Sequence, residues 1–149
     1  MMDIQDDTKT KVAGKKADKK LPIKPHYCAA TSNGWGTEMT GTSSDDGKDY
    51  AGVIGDSITN FTIEAKKLIK ARVRNKHGKW LEYKTGFDKN SGLGDSTPIT
   101  GFEFVGKGFV VAVHIKGGTW LTPVFTSDRD GEVLIGASTP IDAIWIDKM

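Results

Sequence analysis

GDSTPITGFEF at residues 94–104 and GASTPIDAIWI at residues 136–146 are one phrase written twice. Each opens on glycine, turns through Ser-Thr-Pro and enters on isoleucine a run in which large apolar residues alternate with smaller or polar ones. That is the pattern of a strand with one face buried. Residues 55–63, GDSITNFTI, give the phrase a third time without the Thr-Pro pair. The isoleucines that open the three strands, Ile58, Ile99 and Ile141, stand 41 and 42 residues apart. Behind them come Phe61 and Ile63, then Gly101 or Phe102 with Phe104, then Ile144 and Ile146. The one-step shift between the first and second of these series predicts a bulge or bend just after the turn.

Upstream of each phrase the chain repeats itself again. HYCAATSNGWGTEM (26–39), ARVRNKHGKWLEYK (71–84) and AVHIKGGTWLTPV (112–124) each carry a short strand, a glycine turn and a tryptophan. Trp35, Trp80 and Trp120 are 45 and 40 residues apart. Three copies of one unit follow, over about 26–65, 66–106 and 107–149, with Gly55, Gly94 and Gly136 as their signature glycines. One unit of three or four short strands cannot enclose a core, but three about a pseudo-threefold axis bury a shared interior and cover each other's edges. The expected fold is therefore all-β: a three-repeat β-prism, with a β-trefoil as the alternative. Ile69, Ala71 and Val73, alternating with Lys70, Arg72 and Arg74, predict a further strand with a buried apolar face and a wet basic one.

This succession of alternating strand, Gly-Trp, glycine-containing polar loop and Gly-x-Ser strand resembles the clostridial hydrophobic repeat, whose Gly-Trp pair is its mark. The resemblance covers nearly all of residues 26–149. Asn33-Gly34-Trp35 has the direct pair, whereas Gly78-Lys79-Trp80 and Gly118-Thr119-Trp120 insert one residue. Proteins with this repeat are mostly bacterial cell-surface or phage-encoded, so the resemblance implies adhesion or surface attachment more than catalysis.

Residues 1–25 read as a flexible basic arm. They hold seven Lys and four Asp, no apolar periodicity and few large side chains, too little to offset the entropy of ordering a backbone. The remaining 124 residues are nearly neutral, which gives no electrostatic reason to expect nucleic acid as a partner. Cys28 is the single cysteine, so neither an internal disulfide nor a cysteine-rich metal site can form. No stretch approaches the roughly 18 apolar residues of a membrane-spanning helix, and the N-terminus lacks a signal peptide's apolar core. Synthesis in a cytoplasm is expected, without membrane insertion, followed by incorporation in a virion or release by lysis.

For ligand binding the sequence offers two kinds of residue. An indole near a tight turn can stack on a sugar, although the plainer role of Trp35, Trp80 and Trp120 is to cap the core of their own repeats. Trp145 alternates with Ile144 and Ile146, so it faces away from the core and is the better contact residue. The acidic loops offer Asp46, Asn90 and Asp130, whose oxygens could hold the hydroxyls of a sugar; residues before glycine at such places are equally turn formers, and no calcium-loop pattern is present. His26, His77 and His114 fall in different phases of the repeat, no nucleophile motif accompanies them, and nothing singles out a carboxylate pair. No catalytic residue, metal or cofactor is expected. The basic series Lys66, Lys67, Lys70, Arg72, Arg74 and Lys76 reads as a solvated strand face.

Together these readings predict a non-enzymatic structural and binding module. Its arm docks on a larger protein assembly, such as a phage virion in which it is a head fibre, decoration or tail-tip protein, and its body contacts a cell-surface glycan. A free lectin-like protein is the alternative, a hydrolase ranks below both, and the sequence leaves room for an oligomer.

Overall fold

The computed structural model describes residues 20–129 and 131–149; residues 1–19 of the expected arm, and Asp130, lie outside the described residues. The chain is all-β. Its strands are β1 (His26–Thr31), β2 (Gly34–Trp35), β3 (Met39–Thr40), β4 (Ala51–Gly52), β5 (Asn60–Glu64), β6 (Leu68–Arg74), β7 (Gly101–Gly106), β8 (Phe109–Ile115), β9 (Val124–Phe125), β10 (Glu132–Gly136) and β11 (Ile141–Lys148). A single 3-10 turn, Thr126–Arg129, is the only helical piece among the described residues.

Three antiparallel sheets result, none closed into a barrel: β2-β1-β3 with β5 on β1, β10-β7-β6, and β4-β11-β8-β9. Each is centred on a long pair, β1 with β5, β6 with β7 and β8 with β11. After each first strand the chain turns and its tryptophan pairs back, Trp35 on Ala30, Trp80 on Arg74 and Trp120 on His114. The segment just before each isoleucine phrase then leaves its own sheet. Ala51–Gly52 pairs with β11, Leu93 bridges to Phe61 of β5, and β10 pairs with β7. Each sheet thus receives an edge from the stretch of chain that built another.

Where the three phrases meet, the isoleucine backbones close a ring. The Ile58 N–H donates to the Ile141 carbonyl (2.8 Å), the Ile99 N–H to that of Ile58 (2.8 Å), and the Ile141 N–H to that of Ile99 (2.9 Å). All three side chains are fully buried. Around them one apolar cluster draws Tyr27, Phe61 and Ile63 from the first sheet, Val73, Phe102 and Phe104 from the second, and Val113, Ile144 and Ile146 from the third. Phe61 lies edge-on to Phe102, with centroids 5.1 Å apart, so the sheets share one interior.

Two expected details shift. A register slip between Leu68 and Lys70 carries Ile69 outward to 62% exposure, and Leu68 packs against the core in its place. The close glycine of the first phrase is Gly52, not Gly55. A side chain on Gly52, Gly94 or Gly136 would meet the carbonyl oxygen of Asp142, Thr59 or Thr100 at 2.3, 2.4 and 2.3 Å, whereas Gly55 has nothing within 4 Å. The first phrase carries one residue more between this glycine and its isoleucine, so the matching letters Gly-Asp-Ser fall out of structural register. The bulge expected from the first and second phrases is not in the pairing of β5 or at the start of β7; a register shift just after the turn is found in β11 instead, between Ile141 and Ala143.

Candidate functional site

Strand parity sets where each side chain goes, because directly paired residues share a face of the sheet. Tyr27, Ala29, Ala71, Val73, Val111 and Val113 belong to the core, so Ala30, Arg74 and His114 face outward. The tryptophans paired with them must do the same. Trp35 and Trp80 are half-buried, Trp120 is 38% exposed, and none of them enters the apolar cluster. The expectation that they cap the core is therefore corrected. The residue after each of the last two, Leu81 and Leu121, takes that place instead.

The outer face of the second sheet holds the most connected group. Arg72 and Glu103 are cross-strand partners, with Nε to Oε1 at 2.5 Å, and the Glu103 side chain is only 2% exposed. The Tyr83 hydroxyl donates to the same oxygen (2.8 Å). The Arg72 guanidinium lies 4.8 Å from the Trp80 ring centre and 4.5 Å from that of Tyr83, with Lys70 over the Tyr83 ring at 4.0 Å. Burial alone would raise the Glu103 carboxyl. Hydrogen bonds from Glu132, Tyr83 and Arg72 outweigh it and hold the group below the ordinary carboxylate range. The same bond and the nearby Glu103 charge push Glu132 up.

The other two outer faces carry different chemistry. On the first sheet His26 lies between Glu64 (Nδ1 to Oε2, 2.8 Å) and Glu38 (Nε2 to Oε1, 2.9 Å) and stacks on Phe87 with centroids 4.0 Å apart. Lys89 and His26 hold the Glu38 carboxyl below its usual range. On the third sheet the fully buried Asp142 accepts from the Gly55 amide (2.8 Å) and contacts His114 Nδ1 (2.7 Å). Trp120 meets His114 edge-on, and Tyr50 meets Trp120 the same way. Trp145 lies half-buried opposite Ala112 on this face, while Ile144 and Ile146 point into the core.

Of the candidate loop residues, the described Asp46 and Asn90 are occupied locally. Asp46 accepts from Thr37 and Ser44 hydroxyls (2.7 Å each) and from the Lys48 amide (3.1 Å), bonds that bring its carboxyl down to about 2. Asn90 donates its amide to Asp88 (2.8 Å) and is exposed. Cys28 is buried with its thiol against the Gly36 carbonyl, and burial pushes that thiol up. Glu103 and Asp142 went unread in the sequence. Their signal was an acid at an alternating place inside an apolar strand, Phe102-Glu103-Phe104 and Ile141-Asp142-Ala143. Among the described residues no group of three or more His, Cys, Asp or Glu could hold a metal ion, and no helix is long and apolar enough to cross a membrane. No family model, curated protein or solved structure matches the chain.

Proposed function

We propose that the chain is a non-enzymatic binding module, a three-repeat β-prism of the clostridial hydrophobic repeat type, whose outer faces contact a cell-surface glycan. One observation carries the reading: Trp35, Trp80, Trp120 and Trp145 all lie on outer faces rather than in the core, with Trp80 beside the Arg72 guanidinium and Trp120 beside His114. An indole offers an apolar plane to a sugar, and anchored polar side chains beside it supply direction. The isoleucine ring and the exchanged edges support threefold organisation, and the open sheets favour a prism over a trefoil, which is built on a closed barrel.

The arm docks the module to a larger assembly, such as a phage virion. The chain enters the body where the turns between units meet, with Lys66 N–H bonded to Pro22 O (2.8 Å) and a hollow of about 250 Å³ lined by Ile23, Lys67, Lys107, Lys148 and Met149. That end gathers cations and exposed apolar side chains, as an attachment surface would.

A glycan array probed with the full chain and with Trp80→Ala and Trp120→Ala tests the proposal. Binding by the parent that weakens in a variant whose unfolding midpoint is retained is the expected result. No bound glycan, or equal binding by all three proteins, would overturn it.

A further inference from the structure

At the end of the second sheet away from the arm lies a cavity of about 520 Å³, lined in part by Arg74, Lys76, His77, Thr100, Gly136 and Ser138. No carboxylate is among its lining residues. Arg74 is held there by neutral oxygens alone: Nε donates to Thr100 Oγ1 (3.1 Å), and Nη2 donates to the carbonyls of Thr100 (3.1 Å) and Ala137 (2.7 Å). No ion pair to Arg74 and no bond from its Nη1 is found among the described residues. Its cross-strand partner is Gly101, where an added side chain would press on the guanidinium at 3.3 Å. The absence of a side chain there makes the room that Arg74 occupies. Asp95, bonded to the neighbouring Asn75, is engaged by that amide and by Thr97.

The other two sheets show what this place looks like when it is neutral. The position of Arg74 is taken by Ala30 in the first sheet, opposite Asn60, and by His114 in the third, beside the buried Asp142. One site has no charge and the other has its counter-charge built in. Only the second sheet leaves a fixed guanidinium, with Lys76 beside it, facing an open cavity. A preset cation with an unused donor, near the exposed Ser138 hydroxyl, is the arrangement that receives an oxyanion. The Trp80 ring, 5.5 Å from the Arg74 guanidinium, adds an apolar plane at the flank.

We propose that this cavity binds a phosphate or sulfate group carried on a saccharide, with Arg74 and Lys76 on the oxyanion and the Ser138 hydroxyl on an adjacent oxygen, while Thr100, whose hydroxyl donates to the Asn75 carbonyl (2.9 Å), holds Arg74 in place. The saccharide part rests on the glycan reading above; the oxyanion part does not.

Amide and arginine Nε spectra of the full chain, titrated with inorganic phosphate, glucose 6-phosphate and glucose, test it. Phosphate moves the Gly136, Ala137 and Ser138 amides and Arg74 Nε saturably, glucose 6-phosphate does so more tightly, and Arg74→Met weakens both by about tenfold. Lys76→Glu, at an exposed turn position, weakens both as well and guards against a folding defect in the arginine variant. No saturable shift, or unchanged affinity in both variants, overturns the inference. Glucose 6-phosphate binding no tighter than phosphate removes the saccharide and leaves an oxyanion site. Neutral glycans bound on the array without any shift by phosphate sink the inference and leave the functional proposal standing.

Discussion

Tyr27 is the residue on which two parts of the chain depend at once. Its ring is in the core, its hydroxyl donates to the Gly41 carbonyl (2.6 Å) and accepts from the Ile146 amide (2.9 Å), and burial pushes its ionisation far above the ordinary phenol range. Tyr27→Phe keeps the packing and strands both backbone groups. A loss of about 1–3 kcal/mol in urea unfolding is expected, the cost of a buried group left without its bond. Glu132 is the opposite case, an acid whose company is unfavourable once ionised. Glu103, held low, contributes stability above the ordinary carboxylate pKa that is lost as pH falls through its folded value. Glu132, held high, contributes below the ordinary pKa and loses that contribution as pH rises through its folded value. Glu132→Gln keeps a donor to Glu103 and removes the repulsion. Its unfolding midpoint should exceed the parent's at pH 8, with the difference narrowing towards pH 4; an equal difference at both values would contradict the shared proton.

At the scale of the element, alternation was readable and its interruptions were not. Phe102 and Phe104, or Ile144 and Ile146, declare their inner face because nothing breaks the count between them. Ile69 looked equivalent to Ala71 and Val73, yet the slip after Leu68 turned it to solvent, and no residue type at that point announces a bulge. The prediction is a sharp contrast within one amino acid: Ile63→Ala costs about 2–5 kcal/mol, whereas Ile69→Ala changes unfolding by no more than about 0.5 kcal/mol. The tryptophans were misread for a related reason. Large aromatic residues belong in cores on average, but each of these pairs with an outward place on the strand before it, and pairing register is not visible from composition. Gly55 misled through identical neighbours; what makes Gly52 necessary is the Asp142 carbonyl 2.3 Å from where its Cβ would be, a contact made across the molecule. The outer-face groups share this character. Glu103 with Arg72 and Tyr83, or His114 with Asp142, join residues 20 to 31 positions apart, and only the strand pairing brings them together.

On the scale of the whole molecule, three sheets cannot come apart separately if each takes an edge strand or bridge from another's stretch of chain. Ala51–Gly52 on β11, Leu93 on β5 and β10 on β7 tie the sheets in a cycle, and the Ile58, Ile99 and Ile141 amides close a second cycle within the core. The recurrence of the Ile58, Ile99 and Ile141 phrases was legible because they stand at an even spacing. The exchange was not, since the segments that cross over, Ala51-Gly52, Leu93 and Glu132–Gly136, share almost no letters. Native-state hydrogen exchange of the Ile58, Ile99 and Ile141 amides tests this organisation most directly. The three should exchange only through global opening, with one common free energy equal to that of urea unfolding; three distinct values, or one amide released by a local opening, would contradict it.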